Sequence, residues 1–171
     1  MRIKKGENRG HKSLFKRKIY VKFTSPYSQL SCKGNWIDVS AVEGYTFKTN
    51  NNNFESINIP LGIITEMPKH YRAALKFRSS TCDNYGILQR NPEGEIEPDF
   101  GKEWKLPVVV LPKFIRMFKS INPGDRVAQI NFSLQSTAPW YEKIRELFIK
   151  QEIIIVDGVN STREGFGSTG R

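Results

Sequence analysis

Cysteine is scarce in this chain: Cys32 and Cys82 are the only two, they stand far apart, and they match no metal-ligand spacing. They could close one disulfide, but the distribution of disulfides among compartments favours reduced thiols in a cytoplasmic protein. Long apolar runs are missing as well. No stretch approaches the roughly 20 residues a helix needs to cross a bilayer. The basic N-terminus is followed by no apolar signal-peptide core, so neither membrane insertion nor export is expected. There is no internal repeat and no linker that would split the chain in two. At 171 residues, 38% hydrophobic and 26% charged, it suits one ordinary folded domain that can bury most of the surface its unfolded form exposes.

Positive charge is in excess, at a net +10, and its position matters more than its size. Residues 1–22 hold nine Lys or Arg against the single acid Glu7, which is +8 of the total and leaves +2 for the rest. The basicity therefore belongs to an N-terminal extension, residues 1–17, and not to the body. Such a segment can make weak, nonspecific contact with nucleic acid through charge. No aromatic or Arg-rich pattern marks a recognition module, so a solvated extension is the plainer expectation.

Between 18 and 156 the pattern is all-β. Residues 18–24 (KIYVKFT) alternate and are rich in β-branched and aromatic side chains. Further short strands are expected at 36–42, 45–48, 56–60, 61–66, 71–77, 85–89, 104–111, 126–132 and 152–156, with a polar turn at 50–53 and a Pro123-Gly124-Asp125 turn. Regular short strands with turn signals argue for a sandwich or barrel-like fold. One short helix is expected from Pro139, because proline suits the first turn and Trp140, Ile144, Leu147 and Phe148 fall on one face. That stripe is expected to pack into the core. Residues 157–171 are rich in Gly, Ser and Thr, the composition of a mobile arm.

Four segments carry chemistry. The arm contains Arg163-Glu164-Gly165-Phe166-Gly167-Ser168-Thr169-Gly170. Its glycines permit close backbone approach to an anion, its hydroxyls donate, and Phe166 can cover a flat base. A glycine-rich tail alone is weak. It gains weight beside Trp36-Ile37-Asp38-Val39-Ser40-Ala41, Arg78-Ser79-Ser80 and Gly124-Asp125-Arg126-Val127-Ala128-Gln129. In order and approximate spacing these resemble the motifs of the trimeric dUTPase family, and residues 91–100 (NPEGEIEPDF) supply the family's remaining motif. The resemblance spans roughly residues 18–170.

What the resemblance implies is a jelly-roll-like (β-clip) subunit that assembles as a homotrimer and hydrolyses dUTP to dUMP and pyrophosphate with Mg2+. The sites would lie at subunit interfaces, each closed by another chain's arm. By the same resemblance Asp38 holds the metal through water, and Arg78, Ser79, Ser80, Gln129, Arg163, Gly167, Ser168 and Thr169 take the phosphates. Asn91, Gly94, Ile96, Phe100 and Phe166 take the base and sugar. For Asp125 and Arg126, a structural turn with an intramolecular pair and a functional role weigh equally.

Three positions depart from the family. Glu97 stands where the family usually has the general-base Asp; it offers the same carboxylate on a longer stem, and a placement error of an ångström can cost on the order of 10²-fold in rate. Phe100 stands where Tyr is common, and Arg163 sits closer to Phe166 than the usual arginine. Three alternatives stay in view. A pyrophosphatase for another pyrimidine nucleotide would differ in backbone direction at the hairpin. A non-catalytic nucleotide-binding regulator is suggested by Glu97 and the basic extension. A dCTP deaminase would need a carboxylate where Leu106-Pro107 stands.

The arm yields a direct test. Removal of residues 160–171 is expected to leave folding and assembly intact, since no core strand is lost, while dUTP turnover falls far more than nucleotide affinity. Full turnover by the truncated protein would reduce the arm to a tail.

Overall fold

The computed structural model describes residues 2–5, 16–47, 55–111 and 120–157. The expected turn at 50–53, the end of the strand expected at 45–48 and the arm beyond 157 lie outside them. In chain order the elements are β1 (Arg2–Lys5), β2 (Lys16–Phe23), β3 (Leu30–Lys33), β4 (Trp36–Ser40), β5 (Glu55–Pro60), β6 (Ile63–Glu66) and β7 (Tyr71–Phe77). Then follow α1 (Thr81–Tyr85), β8 (Ile87–Gln89), β9 (Gly94–Ile96), β10 (Lys105–Val110), β11 (Arg126–Leu134), α2 (Trp140–Glu146) and β12 (Lys150–Val156).

The strands form three sheets, ordered β1-β12-β2-β6, β5-β10-β8 and β3-β4-β11-β7-β9. Among the described residues only the first contains parallel pairs: β12 runs parallel to both β1 and β2. A strand enclosed in that way reads as a continuous apolar run and not as an alternation, which is what Ile153, Ile154 and Ile155 supply. The five-stranded sheet is antiparallel throughout and alternates. Tyr71, Ala73 and Leu75 point inward from β7, and Ile130 and Phe132 from β11. Near its start β11 carries an irregularity between Arg126 and Ala128. An extra residue there breaks the alternation, so Val127 and Ala128 are both buried. All three sheets feed one core, with Ile19 and Val21 from the first, Ile59, Leu106 and Val108 from the second, and Ile37, Val39 and Ile130 from the third.

The all-β expectation holds, with differences in detail. Two helices are described where one was expected: residues 81–85 form α1, ended by Gly86 in the left-handed conformation (φ 62°). Tyr45 makes only an isolated bridge to Ile121. The segment 1–17 is not all solvated extension, because β1 lies within it and pairs with β12, and β2 already begins at Lys16. Helix α2 starts after Pro139 as expected, but its apolar stripe does not enter the core. Trp140, Ile144, Leu147 and Phe148 are all exposed. The inward side is taken instead by Glu142, which pairs with Arg17, and Glu146, which accepts from the Tyr71 hydroxyl. Among the described residues no helix is long and apolar enough to cross a membrane.

Gly62 links β5 to β6 and has φ +67°. Its carbonyl accepts hydrogen bonds from Thr24 N–H and the Ser28 hydroxyl, and a Cβ at this position would overlap Ser28 Oγ and Val42 Cγ1. Gly62→Ala therefore combines a disfavoured backbone with overpacking. It is expected to cost about 2–4 kcal/mol, read by urea denaturation; a loss near zero would show that the turn relaxes freely.

Candidate functional site

Asp38 lies in the middle of β4, opposite Gln129 of β11, and Gln129 in turn lies opposite Lys76 of β7. Directly opposed residues of an antiparallel sheet share a face, so Asp38, Gln129 and Lys76 form one row on the outer side of the five-stranded sheet. Two arginines converge on the carboxylate. Arg78 Nε is 2.9 Å from Asp38 Oδ1, and Arg126 Nη1 is 3.2 Å from Oδ2. Arg78 also donates to the Arg126 carbonyl at 3.2 Å. The Asp38 side chain is 14% exposed, so these pairs are only partly screened by solvent.

Local chemistry sets the arginines in place. Arg126 follows a turn in which Gly124 has φ +92° and Asp125 accepts from Asn122 N–H at 2.9 Å. The Asp125 carboxylate also accepts from the Tyr85 hydroxyl; burial first, and that carboxylate second, push the Tyr85 pKa up. Arg78 begins a turn closed by Thr81 N–H donating to its carbonyl at 3.0 Å. The buried Thr81 hydroxyl then donates to the Val127 carbonyl at 2.8 Å. Helix α1 is thus tied at both ends to the start of β11, and the segment Arg78-Ser79-Ser80 is held between fixed points. Ser79 is exposed there, and the Ser80 side chain makes no capping hydrogen bond to α1.

The hairpin residues lie elsewhere on the same sheet. Gly94 begins β9 opposite Leu75, and a Cβ on it would approach Leu75 Cβ to 3.3 Å, so close strand contact favours glycine. Ile96 and Phe100 are half-buried against the core, while Asn91 and Glu97 are exposed. Two ion pairs fasten this edge strand to β7, Lys76–Glu93 at 2.6 Å and Arg72–Glu95 at 3.0 Å. Because Ile96 pairs with Ala73, Glu97 falls level with Arg72. It is then four residues along and three strands across from Asp38 itself, roughly 20 Å away at ordinary strand spacings.

The structure therefore brings Asp38, Arg78 and Gln129 together with the Ser79-Ser80 turn. Strand register sets Glu97 roughly 20 Å from Asp38, while Gly94 begins β9 one strand away from the Lys76 end of the row. Arg163, Phe166, Gly167, Ser168 and Thr169 lie outside the described residues. Asp125 spends its carboxylate on the turn, whereas Arg126 reaches Asp38. Sequence reasoning did not single out Lys76 or Tyr85. Lys76 was detectable, since it stands two residues before Arg78 on an alternating strand. Tyr85 was not, because only the folded α1 aims it at Asp125.

No protein-family model matches the chain. Individual relatives do. The chain is 31% identical over 142 residues to the SPbeta prophage-derived deoxyuridine 5'-triphosphate nucleotidohydrolase YosS of Bacillus subtilis, covering 81% of this chain and 85% of that protein. It is 32% identical over 115 residues to the deoxyuridine 5'-triphosphate nucleotidohydrolase of Caldanaerobacter subterraneus, covering 66% and 67%. Among solved structures, the dUTPase of Staphylococcus bacteriophage 80alpha superposes with a TM-score of 0.58 at 15% identity over 71% of this chain and 92% of that one. The dUTPase of Streptococcus mutans gives 0.53 at 15% over 68% and 93%. These structural likenesses speak for the fold, and the sequence identity over most of both chains speaks for the lineage: the protein belongs to the deoxyuridine 5'-triphosphate nucleotidohydrolase (dUTPase) family.

Proposed function

We propose that this protein hydrolyses dUTP to dUMP and pyrophosphate as a homotrimer, with each site assembled from more than one chain. The observation that carries the reading is the placement of the two carboxylates. Asp38 stands among cations suited to a triphosphate, and Glu97 stands roughly 20 Å away on the same sheet face. One chain thus carries two half-sites that a single substrate phosphate cannot bridge, and a second copy offers each half its complement.

In the free protein Asp38 offsets the charge of Arg78 and Arg126. An arriving triphosphate competes for both guanidinium groups, which then neutralise its oxygens. Ser79 and Gln129 donate hydrogen bonds to the phosphates, Gln129 on the α side. Glu97 of another chain takes the proton of a water whose oxygen attacks the α-phosphorus. The bond from that phosphorus to the bridging oxygen breaks, and pyrophosphate leaves with the electron pair. The half-buried Phe100 supports the deoxyribose, and Phe166 with the glycine-rich arm covers the base and excludes water.

Among the described residues no cluster of three or more His, Cys, Asp or Glu could cage a metal ion. Asp38 is a carboxylate beside cations suited to phosphate, and one carboxylate with substrate oxygens and retained waters is a usual way of holding Mg2+. When bound, Mg2+ would supply charge neutralisation along the triphosphate.

Turnover assays with dUTP, dCTP and dTTP, with and without magnesium, test the reading directly; activity on dCTP or dTTP alone would replace the substrate. Glu97→Gln is expected to lose most of kcat while binding of a non-hydrolysable dUTP analogue changes little. Near-native turnover would move the base elsewhere. Asp38→Asn is expected to separate two effects. It frees both arginines, so metal-free nucleotide should bind tighter in calorimetry, while magnesium-dependent turnover falls. Equal loss of both would mean that Asp38 only supports the fold.

A further inference from the structure

Helix α2, together with the turn at Leu147 and Phe148 that ends it, is built inside out. Trp140, Tyr141, Ile144, Leu147 and Phe148 follow the spacing i, i+1, i+4, i+7, i+8, the stripe that an amphipathic helix normally buries. Here they are 73, 53, 51, 79 and 73% exposed. The acids lie on the protein side. Glu142 pairs with Arg17, and Glu146 accepts from the Tyr71 hydroxyl and from Gln151 Nε2. Arg17 additionally lies over the Tyr71 ring, 6.0 Å from its centroid. Turning the helix over would bury the stripe but strip these groups of their partners, at a cost of one to three kcal/mol for each buried polar group, roughly. The orientation is therefore held by specific bonds, and the apolar face is left outward.

We infer that this face packs against a second copy of the chain, within the same assembly that completes the half-sites; the inference rests on the split-site reading above. Place and size identify the occupant. Helix α2 leans on Tyr71, the first residue of β7, and the chain before it is tied there by Gln135 N–H donating to the His70 carbonyl at 2.7 Å. This is also the end of the five-stranded sheet where Glu97 leaves β9, level with Arg72, although Tyr71 points to the core side of β7 and Arg72 to the outer side. A second chain must approach that end for Glu97 to meet a phosphate cluster that its own subunit does not bring near. The five side chains present roughly 600 Å² of apolar surface at ordinary side-chain areas. That is at the upper limit for the largest patch of a typical monomer and near the roughly 800 Å² per partner that a standard interface buries.

The test uses the full chain and compares it with Leu147→Glu and Trp140→Ser, two positions whose exposure in the single subunit spares the fold, as circular dichroism would confirm. Light scattering over a concentration series reads assembly, and dUTP turnover is measured on the same samples. Each variant is expected to raise the concentration needed for half-assembly by about ten-fold or more, with turnover falling alongside the trimer and recovering on concentration. The difference in emission between the native protein and Trp140→Phe isolates Trp140, expected to be blue-shifted and shielded from acrylamide in the trimer. Variants that assemble and turn over like the native protein, with Trp140 open to quencher, would overturn the inference and leave the split site standing. A native protein that is active as a monomer would overturn the split site itself, whatever the variants do.

Discussion

The carboxylate of Asp38, shared between Arg78 and Arg126, is the interaction on which the site depends. The two guanidinium groups come from the end of β7 and the start of β11, and Asp38 from the middle of β4, so a single side chain ties three strands. Without it two like charges would face each other in partly dry surroundings, where repulsion is far stronger than in water. The rest of the neighbourhood serves this geometry. Tyr85 holds Asp125, the turn at Gly124 aims Arg126, and Thr81 fastens α1 to the Val127 carbonyl. Under the proposed function, the acid that neutralises these two cations in the free protein would also hold them ready for a more highly charged ligand.

The same sheet imposes separation. Strand spacing keeps Glu97 and Asp38 about 20 Å apart on one face, and the Lys76–Glu93 and Arg72–Glu95 pairs fasten the short edge strand that sets this distance. Exposed ion pairs of this kind contribute little to stability, typically below about 1 kcal/mol each. Their value lies in position. A three-residue edge strand has few backbone bonds of its own, so side chains help to keep its register.

Helix α2 shows how specific polar contacts can override hydrophobic patterning. A stripe of five large apolar residues would ordinarily decide which side of a helix faces inward. In this subunit two glutamates decide it, because Arg17 and Tyr71 are already placed by β2 and β7 and need partners. The expectation of a core-facing stripe failed for that reason. Periodicity reports that a helix has an apolar face but not what lies against it.

The sequence by itself determined the all-β character, the start of α2 after Pro139 and the turn at Gly124, because each rests on local rules of alternation, backbone freedom or spacing. Only the tertiary structure decided which of those residues meet. Asp38 and Arg126 are 88 positions apart, and their contact depends on strand order and on the irregularity at the start of β11, neither of which leaves a local signal. The pairing of β1 with β12 was hidden for the same reason: a basic segment reads as solvated until a parallel apolar strand presents an edge to it. Glu97 could be named from its motif, but its distance from Asp38 could not, since that distance is the sum of register and strand order across the whole sheet.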